Sequence, residues 1–95
     1  MMQFQLREYT IEDGLLDDFV REWSELVLPL RVSLGFSVVG PWIEREASRF
    51  VWIVGYDGDI GAANETYYAS PEREAVNPNP VDNIAIMHVH MVREP

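Results

Sequence analysis

The sequence has no cysteine and no lysine among its 95 residues. Without a thiol, the chain has no disulfide, no thiolate nucleophile and no cysteine-ligated zinc or iron–sulfur centre. Without a lysine amine, it cannot form a Schiff base with a carbonyl substrate or with pyridoxal phosphate. The absence of cysteine is typical of proteins in a reducing compartment, so we expect the protein to be cytoplasmic.

Long apolar runs and phosphate-binding motifs are also missing. No stretch of 18 apolar residues occurs that would span a membrane as a helix. Residues 1–5 lack the cationic start and apolar stretch of a secretory signal, so we expect none. Gly55, Gly58 and Gly61 are spaced at intervals of three around a predicted turn, which is not the pattern of a phosphate-binding loop.

Positive charge is scarce in this sequence. Seven arginines face sixteen acidic residues, which gives a formal net charge of −9 and a pI near 4.4. So acidic a surface repels phosphate backbones and anionic lipids, and we expect neither nucleic acid nor a membrane as a partner. The hydrophobic fraction of 47% is far too high for a disordered chain. A chain of this length forms one domain, which we place at residues 1–95.

Four segments have the pattern of β-strands, with alternating residues or many valine and aromatic residues. The four-residue link 45–48 predicts a hairpin between the second and third strands, and Pro41 predicts an edge position or a bulge. In the last strand we expect Ile84 and Ile86 to share a face with the two histidines. The predicted strands cover residues 3–10, 36–44, 49–57 and 82–93.

Two helices are predicted between these strands. Apolar residues recur at helical spacing from residue 16 to residue 30, and Thr10 or Asp13 is expected to cap this helix. Pro29 is expected to kink it and Gly35 to end it. The second helix follows Asp59. The resulting βαββαβ order is typical of an α+β ferredoxin-like fold, an antiparallel sheet with both helices on one face.

The predicted sheet is apolar on both faces, whereas two helices cover only one. The uncovered face would be a large apolar patch exposed to water. We therefore expect a homodimer that forms through the open sheet face. Depending on which face each side chain occupies, it would bury some of Trp52, Val54, Ile84, Ile86, Met87 and Met91.

Several short segments resemble, in order and spacing, bacterial members of the NIPSNAP family. The resemblance covers nearly the whole chain and implies the dimeric α+β barrel superfamily, in which two ferredoxin-like sheets close face to face. It implies no settled activity, although the superfamily includes small monooxygenases that oxidise aromatic substrates and enzymes that degrade haem. It assigns no catalytic residue. The segments are LREYT at 6–10, GL at 14–15, PLR at 29–31, GF at 35–36, FVWIVGYD at 50–57 and YYASPER at 67–73.

Three residues are candidates for binding a small molecule. Arg7 and Tyr9 lie on the polar face of the first strand, and a buried arginine needs a counter-charge. Either an internal acidic residue or a ligand carboxylate supplies that charge. Trp52 offers a flat surface on which an aromatic ligand can stack, or else it packs in the core.

His88 and His90 complete the candidate site. Two residues apart on a strand, they project to one face, which is the geometry of half a metal site, and their unperturbed pKa suits them to acid–base chemistry. Alternatively, they form hydrogen bonds across the dimer. Because the strong zinc signatures are absent, we expect neither a metal nor a cofactor.

Three functions are open at this point. The first is a homodimer of the NIPSNAP type that binds a small molecule, with no catalysis assigned. The second is a cofactor-free monooxygenase-like or isomerase-like enzyme acting on an aromatic small molecule. The third is a structural dimer whose barrel is filled. A polar-lined cavity would distinguish the first two from the third, and turnover of an aromatic substrate would distinguish the second from the first.

Overall fold

A computed structural model describes all 95 residues, and four strands form one antiparallel sheet. Their order across the sheet is β2-β3-β1-β4, so β1 and β3 are central and β2 and β4 lie at the edges. The predicted α+β ferredoxin-like order is confirmed. The strands are β1 (Met2–Ile11), β2 (Ser37–Glu44), β3 (Arg49–Asp57) and β4 (Ile84–Val92).

The first helical segment contains a wide turn in front of its proline. α1 (Leu16–Glu22) leads into a π-helical turn (Trp23–Val27), and α2 (Leu28–Ser33) follows. The amide of Leu28 donates to the carbonyl of Trp23, five residues back. Because Pro29 has no amide to donate, the widened turn accommodates it without breaking the helix. In place of the expected kink at Pro29, the structure has this π-helical turn directly before α2.

The same segment ends as predicted but begins differently. Gly35 has a φ of +95°, and its amide donates to Val32 while that of Phe36 donates to Arg31, closing the helix with a Schellman motif. The predicted caps at its start are wrong. Thr10 lies inside β1, and Leu15, which has no side-chain acceptor, occupies the capping position.

Two short helices and a 3₁₀ turn connect β3 to β4. The carboxylate of Asp59 accepts a hydrogen bond from the amide of Ala62 at 3.1 Å and starts α3 (Ile60–Ala69). The hydroxyl of Ser70 accepts from the amide of Arg73 at 3.2 Å and starts α4 (Pro71–Glu74). The 3₁₀ turn, Pro80–Asn83, occupies the start of the last predicted strand, so β4 begins only at Ile84.

Two irregularities in pairing decide which side chains reach which face. The register of β2 on β3 shifts by one residue between Val39 and Trp42, which confirms both the edge position and the bulge predicted from Pro41. The register of β4 on β1 shifts near Ile11. Ile84 therefore faces the helices and Ile86 faces away from them, so the expectation that they share a face is wrong.

The core lies between the sheet and the helices. It is rich in aromatic residues, with Phe19, Trp23 and Phe50 packed edge to face. Of the six residues from which the open face was expected to bury some, Trp52 and Val54 belong to this core. Ile84, Met87 and Met91 lie on the helix side of β4, and Ile86 lies on the open face. None of the helices is long and apolar enough to cross a membrane. The open face carries Phe4, Leu6, Val39, Trp42, Val51, Ile53 and Ile86.

Candidate functional site

Three arginines are buried between the sheet and the helices. Arg7, Arg31 and Arg73 are only 4%, 1% and 7% exposed. We call these three residues the arginine cluster. A buried charge is costly unless it is paired, yet no carboxylate forms an ion pair with any of them. The ion pairs of the protein instead involve the N-terminus, Arg21, Arg45, Arg49 and His90.

Local sequence explains how each arginine comes to face inward. Phe19, Trp23 and Val27 are buried at intervals of four, and Arg31 occupies the next position of that series. Arg7 lies on the helix-facing side of β1, directly opposite Trp52 of β3. The serine cap that starts α4 holds the backbone of Arg73. One residue from a strand and two from helices thus meet at one point.

A closed ring of hydrogen bonds joins two of the guanidinium groups. Arg31 Nη1 donates to Asn64 Oδ1 at 2.5 Å, and Asn64 Nδ2 donates to Gln5 Oε1 at 3.1 Å. Arg7 Nη2 donates to the same Gln5 oxygen at 3.0 Å. Arg7 Nη1 and Arg31 Nη2 both donate to Tyr68 Oη at 3.2 Å, which closes the ring. Every acceptor in it is neutral.

Aromatic rings beside the guanidinium groups compensate part of the cost of burying their charge. The guanidinium carbon of Arg31 lies 3.8 Å from the ring centre of Tyr67 and 4.7 Å from that of Phe36. That of Arg7 lies 5.6 Å from the ring centre of Trp52. The negative face of an aromatic ring attracts a cation but carries no net charge. The cluster therefore keeps its net positive charge.

Several buried donors of the cluster have no partner in the protein. The Nε atoms of Arg7, Arg31 and Arg73 are shielded from water and form no hydrogen bond, and the hydroxyl of Tyr67 is in the same condition. An unpaired buried donor costs about 1–3 kcal/mol, and the cost is higher for a charged group. An oxyanion placed among these atoms would satisfy the donors and the charge together.

The cluster borders a small cavity of about 20 Å³, lined in part by Arg31, Arg73 and Tyr68. That volume holds about one water molecule. A surface depression of about 290 Å³ adjoins it and shares the linings Tyr68, Arg73 and Val81. Arg73 Nη2 donates to Asn79 Oδ1 at 3.0 Å at this boundary.

The pKa values of two neighbouring tyrosines are shifted in opposite directions here. Burial raises the pKa of Tyr68, but the charges of Arg7 and Arg31 outweigh it and hold that pKa below its ordinary value. Burial dominates at Tyr67 and raises its pKa. Burial and the charge of Arg7 lower the pKa of Arg31. Tyr68 is therefore the phenol of this site that loses its proton most readily.

The sheet separates the five predicted site residues into two groups. Arg7 Nη1 donates to Tyr9 Oη at 3.3 Å, and the rings of Tyr9 and Trp52 lie 6.5 Å apart, so these three meet on the helix side. His88 and His90 lie on the open face, opposite Glu8 and Leu6 of β1 respectively. The five residues therefore do not form one site.

The two histidines have a small polar environment of their own. Their rings stack with centres 6.1 Å apart, and His90 Nε2 lies 3.7 Å from Glu8 Oε2. Nowhere in the chain does a group of three potential metal ligands form.

Reasoning from sequence missed two members of the cluster. Arg31 continues the buried series in steps of four, which is the one signal that points to it, but the predicted apolar stripe assigned that turn to Leu30. Arg73 lies in a four-residue helix, too short to show a periodicity. Only the folded chain brings it to the cluster.

Comparison with solved structures identifies the fold. A NIPSNAP domain protein from Burkholderia xenovorans superimposes with a TM-score of 0.84 at 19% identity, over 100% of this chain and 95% of that one. A NIPSNAP family protein from Agrobacterium tumefaciens gives a TM-score of 0.87 at 14% identity, over 100% and 94%. The chain has the NIPSNAP-like fold. Neither a protein-family model nor a curated protein matches its sequence.

The NIPSNAP-like fold extends to a second group of proteins. An antibiotic biosynthesis monooxygenase-like protein from Nitrosomonas europaea superimposes with a TM-score of 0.73 at 10% identity, over 96% of this chain and 88% of that one. At these identities the likeness concerns the fold alone. The resemblance seen in the sequence is thereby confirmed at the level of the NIPSNAP-like fold.

Proposed function

We propose that this NIPSNAP-like protein is a homodimer that binds a small organic anion at the arginine cluster. One observation carries the proposal. Arg7, Arg31 and Arg73 are buried together without a carboxylate partner in a chain whose net charge is −9. Sixteen acidic residues were available to pair with them. A ligand carboxylate supplies the counter-charge that the chain itself does not provide.

The apolar part of the ligand has a place beside the cluster. On the helix-facing side of β4, Met87, Val89 and Met91 are 40%, 43% and 54% exposed. We call these three residues the methionine shelf. In the register of the sheet, Val89 lies opposite Arg7. An anion with a flat apolar body would place its charge in the cluster and its body on this shelf, so an aromatic carboxylate fits best.

Calorimetric titration with benzoate tests the anion site. We expect benzoate to bind the wild type, and benzamide, its neutral analogue, not to bind. Arg73→Gln removes one guanidinium group whose single side-chain hydrogen bond is to Asn79. A charged hydrogen bond contributes about 1.5–3 kcal/mol, so the variant should bind benzoate roughly 10- to 100-fold more weakly.

The matched control is Arg45→Gln, which removes an arginine on the surface. Arg45 pairs with Asp17 at 2.9 Å in solvent. We expect it to leave benzoate binding unchanged, whereas an equal loss in both variants would show a general charge effect. Absence of benzoate binding to the wild type would contradict the proposal and favour the structural dimer with a filled barrel.

The open sheet face supports the dimer. Trp42 and Ile86 are each 52% exposed and Val39 is 47% exposed on that face. A stable interface buries about 800 Å² of each partner. We expect sedimentation at micromolar concentration to give a dimer, and Ile86→Asp to give a monomer because it puts a charge into the interface. Trp42→Ala, without a new charge, should weaken the dimer while the chain stays folded. A monomeric wild type would contradict this part.

An enzymatic function is the second candidate, favoured by the two guanidinium donors on Tyr68 Oη. A phenol in that position is prepared to give and take a proton, as an isomerase-like enzyme requires. For a monooxygenase-like activity, the support is the likeness of fold to the Nitrosomonas protein.

A further inference from the structure

The hydroxyl of Tyr68 has one hydrogen-bonding position left, which is the hydrogen that it can donate. Its two lone pairs receive hydrogen bonds from Arg7 Nη1 and Arg31 Nη2, both at 3.2 Å. No acceptor of the protein takes the hydroxyl hydrogen. Tyr68 also lines both the small cavity and the surface depression.

We propose that Tyr68 exchanges a proton with C3, the carbon next to the ketone, of a 2-oxo carboxylate whose carboxylate group is held by the arginine cluster. The inference rests on the proposed anion site and names its substrate class and reaction. A 2-oxo carboxylate combines an anionic head with an acidic C–H bond, and its keto–enol conversion requires only proton transfer.

The reaction balances without a co-reactant. The ionised oxygen of Tyr68 takes a proton from the carbon next to the ketone, so the C–H bond breaks and an O–H bond forms on Tyr68. The electron pair becomes the C=C bond of an enolate, and the negative charge moves to the former ketone oxygen. Guanidinium N–H groups of Arg7 and Arg31 stabilise that oxygen. Tyr68 then returns the proton to this oxygen, which gives the enol, or to the carbon.

The electrostatics around Tyr68 favour this role. Arg7, Arg31 and Arg73 face it with positive charge, and the neutral Tyr67 contacts its ring at a centre distance of 5.0 Å. Together, the positive charges hold the pKa of Tyr68 below its ordinary value. Tyr9 adds a neutral phenol beside Arg7, and the carboxylate of Glu74 lies at the outer rim.

Deuterium exchange into phenylpyruvate tests the proposal. In D₂O buffer, proton NMR follows the loss of the C3 hydrogens with and without protein. We expect the wild type to accelerate exchange and Tyr68→Phe to lose about 10²–10⁴-fold of that acceleration. Benzoate has no exchangeable C–H, so its binding to the wild type reports on the anion site independently of proton transfer. Tyr56→Phe, at a tyrosine outside the cluster, is the matched control and should exchange like the wild type.

The outcomes separate this inference from the anion site on which it rests. Benzoate binding together with no acceleration by the wild type, or with equal acceleration by Tyr68→Phe, overturns the proton transfer and leaves the anion site standing. Failure of benzoate to bind overturns both. An acceleration over the protein-free rate that rises with pH in the wild type and is flat in Tyr68→Phe supports Tyr68 as the base. A merely structural role would not produce that profile.

Discussion

The two faces of this sheet handle charge in opposite ways. Adjacent residues of β1 show the contrast, because Arg7 is buried on the helix side while Glu8 faces outward beside His90. The helix side encloses positive charge where desolvation is most costly, and the open face leaves apolar side chains in water. Each face is incomplete in the isolated chain. The helix side lacks an anion, and the open face lacks an apolar cover.

The largest effect should come from two tryptophans, one on each face. Trp52 is 1% exposed and packs against Trp23 and Arg7, so Trp52→Ala should lower the free energy of unfolding by about 3–5 kcal/mol. Trp42→Ala should have a much smaller effect on the unfolding of the protomer and act mainly on self-association. Urea denaturation and sedimentation measure the two effects. Equal losses of stability would remove the contrast between the faces.

A carboxylate introduced beside the arginine cluster should produce the next largest effect. In Gln5→Glu a carboxylate replaces the amide that accepts from Arg7 at 3.0 Å and from Asn64 at 3.1 Å. At pH 7 we expect the free energy of unfolding to rise by about 2 kcal/mol and benzoate binding to weaken at least about tenfold. The arginine holds the pKa of the new carboxyl below its ordinary value, so the gain is complete above that value and is lost as pH falls.

Gln3→Glu is the matched control for this variant. Gln3 lies on the same side of the same strand, and its amide oxygen accepts from the backbone of Ile60 at 3.0 Å, away from the arginines. We expect benzoate binding to be unchanged there. If Gln5→Glu is destabilised, or binds benzoate like the wild type, the proposal that the cluster binds an anion is contradicted.

A third, smaller effect should appear in the alkaline titration of the tyrosines. Since the pKa of Tyr68 is lowered in the folded state, its contribution to stability is present above pH 10 and lost as pH falls through the folded value. Absorbance at 295 nm should show one phenol ionising early, and Tyr68→Phe should abolish that step. Tyr67→Phe should preserve it, because burial raises the pKa of Tyr67. An early step that survives in Tyr68→Phe would contradict the assignment.

The smallest effect is expected from the histidines. His88→Gln and His90→Gln, singly and together, should change benzoate affinity by less than about twofold at both pH 6 and pH 8, because the sheet lies between them and the cluster. Any change should appear in self-association. Loss of the benzoate response in either variant would restore the histidines to the site.

The order of elements could be predicted from the sequence because it depends on local signals. Periodicity locates the strands and helices, and the start of α3 at Asp59 and the stop at Gly35 follow from residue chemistry. The direction of individual side chains could not be predicted in the same way. A one-residue bulge exchanges the two faces of a strand, as happens between Ile84 and Ile86.

The candidate site was predictable only in part for a related reason. Arg7, Tyr9 and Trp52 lie together, as the sequence suggests by placing a polar strand face beside aromatic residues. Their role in binding stays a prediction. Arg31 was missed because periodicity treats arginine as a surface residue, and its burial depends on long-range contacts with Asn64 and the tyrosines.

The wide turn before Pro29 has a geometric consequence for the cation it precedes. Each residue of an α-helix advances the side-chain direction by about 100°, so one extra residue in a turn rotates all that follows by that angle. With a regular α-helical turn in its place, Leu30 rather than Arg31 would point to the buried face that Phe19 and Trp23 occupy. The segment Trp23–Val27 therefore sets the direction of the Arg31 side chain, one helical turn before the arginine itself.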